Sequence, residues 1–431
     1  MLGGGDTPEP SSLPPRRPGA ARREERARAR GLLGIRSAST AWSSRRVDDP
    51  GEGRLRALAG VATSLLILAA CEAPARPLPQ GPRPVDARPV EPRVRSAVRC
   101  EECHEPHVRG WRGSAHARSA EEPLYRALRA RGDASCDRCH QPLLAEIDAA
   151  DPIHAEGVTC DVCHGAPAIA GDRPGGGLAF DLESRRKYGP LCESPDHYFH
   201  RMGCSPLHRE ARFCAACHHL ERTTPAGVTL PVISDFVEWE ASSVAGATSC
   251  QDCHMHGEPG EVARGWTRRD NVSRHDLFGE ADALRRDGLD LQGSIRDEAD
   301  GRWLEVEVHN RGDAHGLPAG IAGRRMILTI VARDREGAPL LRDGRTYARI
   351  LGDDAGVEVP FDVATRVVAD TRLAAGERRR ERVRLPAGVD HVELTIEGLP
   401  HDPAIAQALG LAPPPARTWA ALRVASPPSH R

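Results

Sequence analysis

Five copies of one pattern, Cys-x-x-Cys-His, constrain what this chain of 431 residues can become. They are Cys100-Glu-Glu-Cys103-His104, Cys136-Asp-Arg-Cys139-His140, Cys160-Asp-Val-Cys163-His164, Cys214-Ala-Ala-Cys217-His218 and Cys250-Gln-Asp-Cys253-His254. Of the 13 cysteines, only Cys71, Cys192 and Cys204 stand outside the pattern. The chain is long enough for about two or three domains, yet its aromatic content is 4%, thin for a large core. The net charge of -2, with no basic block interleaved with aromatics, argues against a nucleic-acid partner.

Cysteines three apart fall on one side of a helical turn. Both thiols can then add to the vinyl groups of one porphyrin, and the histidine that follows reaches its iron. Zinc is the competing reading, because two Cys-x-x-Cys pairs can make a four-sulfur site. Zinc calls for paired motifs and is indifferent to the next residue. An odd number of motifs, each ending in His, favours haem, and disulfide-exchange chemistry fails on the same ground. The residues point to five haem c groups, joined through Cys100, Cys103, Cys136, Cys139, Cys160, Cys163, Cys214, Cys217, Cys250 and Cys253. His104, His140, His164, His218 and His254 are the proximal ligands. Porphyrin plates would also fill a core short of aromatic side chains, so residues 99–280 should fold poorly without them.

Residues 1–53 are rich in Arg, Pro, Gly, Ser and Ala, and read as a disordered extension or as a start placed too far upstream. Arg54 and Arg56 precede an apolar run ending at Cys71, a signal-peptide layout over 54–71 that falls short of the roughly 20 residues of a membrane span. Its ending, Leu68-Ala69-Ala70-Cys71, resembles the bacterial lipobox, which implies lipidation of Cys71; an uncleaved anchor or an ordinary buried cysteine is the alternative. Residues 72–98 form a Pro-rich tether. The motif region, 99–285, is loop-rich, with a helix expected over Ser119–Arg131 from a Ser119/Glu122 capping box and the shared face of Leu124 and Leu128.

Over 286–412 the texture changes to short alternating runs, as where Leu304, Val306 and Val308 oppose Glu305, Glu307 and His309. Further runs at Met326–Ala332, Arg366–Val368, Arg380–Leu385 and His391–Glu397 suggest a small β-sandwich, followed by a tail over 413–431. The fold class is therefore mixed: a loop-rich, mostly α multihaem domain, then a small all-β sandwich-like domain. Haem attachment needs an extracytoplasmic site, in agreement with the export signal. In that oxidising compartment Cys192 and Cys204 are able to pair, although the sequence does not give their separation.

The sixth iron ligand separates electron transfer from catalysis. Beyond the motifs 14 of the 19 histidines remain, against few methionines, of which Met202, Met255 and Met326 are placed to compete. Two imidazoles per iron, and hence a low potential, is the expected rule. His107, His391, His401 and His430 read as solvated loop residues, and His309 as outward-facing on a strand.

The stretch from Cys100 to Ala117 resembles the cytochrome c-554-type multihaem family, in which a Trp-x-x-Ser-x-His-Ala signature follows the first motif; Trp111, Ser114 and His116 match it. The run from His154 into the third motif is similar to the family's His ahead of Gly-Val-x-Cys, and Trp239 and Ser242 repeat Trp-x-x-Ser without a following His. Segments around His275 and His315 resemble later His-bearing parts of the family, though Asp276-Leu277-Phe278 stands where Phe-Pro is common and Ala319 where Thr is common. The resemblance covers 99 to about 400 and implies distal roles for His116, His154, His275 and His315. His200 and His208 compete for the fifth role, with His219 a further option.

These residues describe an electron carrier without catalytic residues. It would be lipid-anchored on the periplasmic or cell-surface side of a bacterial membrane, and would exchange electrons with a membrane quinol oxidase or other cytochromes. The alternative is a multihaem reductase of a small nitrogen or sulfur oxyanion with one open iron. A Lys-ended motif would favour that enzyme, and all five motifs here end in His.

Overall fold

The motif region is a string of mostly very short helices. A computed structural model describes residues 93–277 and 287–427, all within one compact unit, Pro79–Arg431. The N-terminal extension, the signal-like run with Cys71, nearly all of the tether, the expected boundary at 285/286 and His430 lie outside the described residues.

In chain order the helices are α1 (Ala97–Arg112), α2 (Pro123–Arg129), α3 (Asp137–His140), α4 (Cys160–His164), α5 (Ala211–Ala215), α6 (Asp235–Glu240) and α7 (Cys250–His254). Isolated helices need about 12–15 residues to be even marginally stable, so all but α1 depend on what they pack against. The region was expected to be mostly helical, but it also carries four two-stranded pairs. These are β1 (Ala168–Ile169) with β2 (Leu178–Ala179), β3 (Arg186–Gly189) with β4 (Arg201–Cys204), β5 (Leu220–Thr223) with β6 (Thr229–Ile233), and β7 (Gly257–Glu261) with β8 (Arg268–Ser273). The β3–β4 pair is parallel, and Cys192 and Cys204 are joined by a disulfide with their Cα atoms 4.4 Å apart.

The helix expected from Ser119 starts later. Residues His116–Glu121 form a 3₁₀ helix, Pro123 takes the first position of α2, and Glu122 caps it by accepting the Tyr125 N–H at 2.6 Å. Proline at the first turn loses no hydrogen bond, which sets the boundary. Ser119 Oγ is engaged elsewhere, donating to the His140 carbonyl at 2.8 Å and accepting from Val158 N at 3.1 Å. Leu124 and Leu128 do share a buried face.

The C-terminal strands follow alternation of apolar and polar residues: β9 (Leu289–Glu298), β10 (Gly301–Asn310), β11 (Arg325–Arg333), β12 (Pro339–Gly352), β13 (Arg366–Asp370), β14 (Arg378–Arg384), β15 (His391–Leu399) and β16 (Arg417–Ala425). They make a three-stranded sheet of order β14-β10-β9 and a five-stranded sheet of order β13-β12-β11-β15-β16, antiparallel throughout. Leu304, Val306 and Val308 from the first sheet share a core with Met326, Leu328, Ile330, Leu394 and Ile396 from the second. Each such side chain contributes roughly 1.5–3 kcal/mol by leaving water. The expected tail supplies β16, whose Leu422 packs against that core. A short helix, α8 (Pro403–Ala408), begins at the Asp402 cap. Among the described residues no helix is long and apolar enough to cross a membrane.

Candidate functional site

Each motif occupies about one helical turn. Positions i, i+3 and i+4 of a helix share a face, so two thiols and an imidazole project together. The first motif lies in α1, the third fills α4 and the fifth fills α7, where Ser249 and Asp252 form a capping box. The second motif runs from a 3₁₀ turn ending at Cys136 into α3. The fourth starts in α5, and the His218 N–H bonds the Cys214 carbonyl at 2.8 Å to continue the turn.

The two Trp-x-x-Ser segments anchor motifs that follow. Trp111 Nε1 donates to the Val158 carbonyl and Trp239 Nε1 to the Thr248 carbonyl, each at 2.8 Å. In both cases the accepting residue stands two positions ahead of a motif's first cysteine, Cys160 or Cys250.

Four motif imidazoles are faced by a second imidazole from elsewhere in the chain. His104 faces His200 with ring centroids 6.3 Å apart, His218 faces His116 at 6.2 Å and His254 faces His315 at 6.2 Å. His164 has two such neighbours, His208 at 5.9 Å and His275 at 6.3 Å. With a metal–nitrogen bond of about 2 Å and each nitrogen roughly 1 Å from its ring centre, two imidazoles sharing one metal put their centroids about 6 Å apart. The donor geometry therefore fits iron held between paired histidines.

Tautomers support the fit. The Nδ1 atoms of His104, His140 and His164 lie 2.6, 3.1 and 2.7 Å from the carbonyls of Val262, Ser119 and Tyr188, so an Nδ1–H donor leaves Nε2 free to ligate. His275 Nδ1 likewise meets the Ser273 carbonyl at 3.0 Å, whereas His208 spends its Nε2 on the Cys163 carbonyl at 3.0 Å. Burial pushes His116, His200, His208 and His254 down to about 4 and His275 to about 3, and also lowers His164 and His218. All are then neutral at pH 7, the state a metal ligand requires.

The remaining candidates are placed differently. His140 stacks on Tyr125 at 4.3 Å, and among the described residues no imidazole ring faces it. His154 is buried but aims Nε2 at the Asp148 carbonyl, 2.9 Å away, and the structure does not bring it opposite a motif histidine. His219 is buried at Nδ1 without a partner. Met326 belongs to the core of the paired sheets.

Three histidines expected to be solvated are not. His107 packs against His275 at 4.8 Å, and His391 and His401 are each 6% exposed. The His107 ring lies 6.0 Å from that of His104, across the kink that interrupts α1 at His104, and its nearness to the motif in sequence was the available signal.

Thiols of different motifs meet. Cys100 lies close to Cys160, Cys139 to Cys217, and Cys214 to Cys250. Among the described residues no group of three or more His, Cys, Asp or Glu is arranged to hold a metal ion, as a four-sulfur zinc site would demand.

Residues 99–165, which span the first three motifs, match the family described as cytochrome c554 and c-prime. The chain carries a multihaem c-type cytochrome segment. A penta-heme cytochrome c552 from Thermochromatium tepidum is similar in fold to this chain, with a TM-score of 0.63, 24% identity, and coverage of 77% of this chain and 98% of its own. A Bordetella pertussis protein assigned as ApaA, at 12% identity over 33% of this chain and 97% of its own, has a TM-score of 0.17, too low to bear on the fold. No curated protein matches the sequence significantly.

Proposed function

We propose that this cytochrome is an extracytoplasmic electron carrier with five haem c groups, most of them held by two histidines. The observation that carries this reading is the set of imidazole pairs at 5.9–6.3 Å. Haem c supplies one-electron exchange between ferric and ferrous iron, and two histidines close the iron to substrates and keep its potential low.

In this reading His200 serves opposite His104, His116 opposite His218, and His315 opposite His254. His275 serves opposite His164 in preference to His208, because His275 holds Nδ1 and leaves Nε2 free, as the motif histidines His104, His140 and His164 do, whereas His208 leaves only Nδ1. The loop-rich motif domain and the sandwich-like domain then act as one unit, since the sandwich-like domain lends His315. The first and third, second and fourth, and fourth and fifth motifs approach one another through the cysteine pairs Cys100/Cys160, Cys139/Cys217 and Cys214/Cys250. Those approaches favour electron transfer between the haems concerned. Lipidation at Cys71 would hold the carrier at a bacterial membrane within reach of a quinol oxidase or other cytochromes.

The Tyr125 contact of His140 favours a second reading, in which that one iron keeps an open position and reduces a small nitrogen or sulfur oxyanion. Turnover assays of the holoprotein with nitrite, hydroxylamine and sulfite, driven by a reduced viologen, separate the two. The carrier is reoxidised by protein partners and gives no turnover; sustained consumption of any of the three overturns it.

A further inference from the structure

Helix α6 lies between the fourth and fifth motifs, and two of its carboxylates reach the loop that presents His315. Asp235 Oδ1 accepts the Gly320 N–H at 2.9 Å, and Glu238 Oε2 accepts the Gly316 N–H at 2.9 Å, one peptide beyond His315. From the other side Asn310 Nδ2 donates to the His315 carbonyl at 3.0 Å and to the Ala374 carbonyl at 2.8 Å, while Leu317 and Leu373 exchange backbone hydrogen bonds of 2.8 Å. The loop is thus gripped between α6 and the sheets.

Glu238 is itself held from the sheets. Its Oε1 lies 2.6 Å from Arg372 Nη2 and 3.1 Å from Arg349 Nη2, and both guanidinium side chains are 10% exposed. Asp370 bridges the same two arginines, 3.0 Å from Arg372 Nε and 2.9 Å from Arg349 Nε. Arg349 also donates to Ser234 Oγ and to the Pro231 carbonyl. Taking such charges out of water is costly, and apolar packing often stabilises as well. A network of directed bonds fixes geometry in a way that apolar packing does not.

We propose that Glu238, held by Arg349 and Arg372, is a positioning residue that sets the His315 imidazole opposite His254. The inference rests on the reading of His315 as a distal ligand. Ligation tolerates little displacement, and partners standing behind a ligand typically govern metal affinity by about 10–100-fold. Without its carboxylate the Gly316 N–H loses its acceptor, and the two guanidinium groups are left to share Asp370 alone.

Low-temperature electron paramagnetic resonance of the oxidised holoprotein tests this, with His315→Ala as reference. That variant is expected to add a high-spin signal equal to one haem in five. Glu238→Ala is expected to add the same component, suppressed by free imidazole, while Glu238→Gln, which keeps an acceptor for Gly316, recovers most of the low-spin signal. Should Glu238→Ala yield no holoprotein, Gly316→Ala replaces it; its Cβ would stand 3.2 Å from Glu238 Oε2 and 3.1 Å from the Leu373 carbonyl, and the same high-spin component is expected. A wild-type spectrum from Glu238→Ala, or from Gly316→Ala in its place, overturns the positioning role while His315→Ala still shows its effect. A wild-type spectrum from His315→Ala overturns the ligand reading first, and this inference with it.

Discussion

Lys187 is the single lysine of a chain with 59 lysines and arginines, and its ammonium lies 2.6 Å from Asp161 Oδ1 inside the third motif. Asp161 is 1% exposed, and its other oxygen accepts the Arg95 N–H at 2.7 Å. Removing one member of a buried pair strands the other, so Asp161→Asn should cost about 3 kcal/mol and Lys187→Met a similar amount. The double variant should lose less than the sum in a thermal-denaturation cycle; simple additivity would mean the two groups act independently. At the third motif His275→Ala should convert one haem to high spin and His208→Ala should not, as read by magnetic circular dichroism. The attachment cysteines and motif histidines are legible because their chemistry is written in local spacing. Which imidazole faces which motif is not, because His116 and His218, or His254 and His315, meet only through tertiary packing. For the same reason His107 looks solvated in sequence and is packed in the fold.

Among the elements, alternation identified β10, β11 and β15, whose inward residues are nearly all apolar, and shorter runs located β13 and β14, where Val383 is the one buried residue of β14. It passed over β12, in which Arg342, Asp343 and Arg345 interrupt the pattern on its exposed half, and β16, where only Val424 is buried and Trp419, Ala420 and Leu422 are half-buried. The α2 boundary was misplaced because Ser119 satisfies the criteria for a cap while tertiary partners claim its hydroxyl. Ile396→Ala, at 0% exposure, should cost about 2–5 kcal/mol in denaturant unfolding, whereas Val367→Ala on the exposed face should cost less than about 0.5 kcal/mol. The junction between α6 and the sheets also predicts a pH dependence. Burial alone would raise Glu238 and Asp370, but bonds to Arg372 and Arg349 outweigh it and hold both below their ordinary values of 4.5 and 3.8. A carboxylate depressed in the folded state stabilises fully above its unfolded pKa, and that stability is lost as pH falls through the folded value. Acid should therefore loosen this junction, seen as rising amide exchange in residues 316–320 below about pH 4 in the wild type and a flatter response in Asp370→Asn.

At the scale of the whole molecule, one class of cofactor explains a chain of 431 residues with so few aromatics, because each porphyrin buries a large apolar surface. The family match spans only the first three motifs, and the likeness to the penta-heme cytochrome c552 extends the fold over the strand-rich part. If Cys71 carries lipid, Cys71→Ser should release the holoprotein from the membrane fraction without changing its haem spectrum. Retention in that fraction would point instead to an uncleaved anchor. The central claim is that all ten motif thiols hold haem. Intact-mass spectrometry of protein matured in a host with cytochrome c assembly should find the polypeptide heavier by five haems; a mass with fewer, or none, would contradict the account.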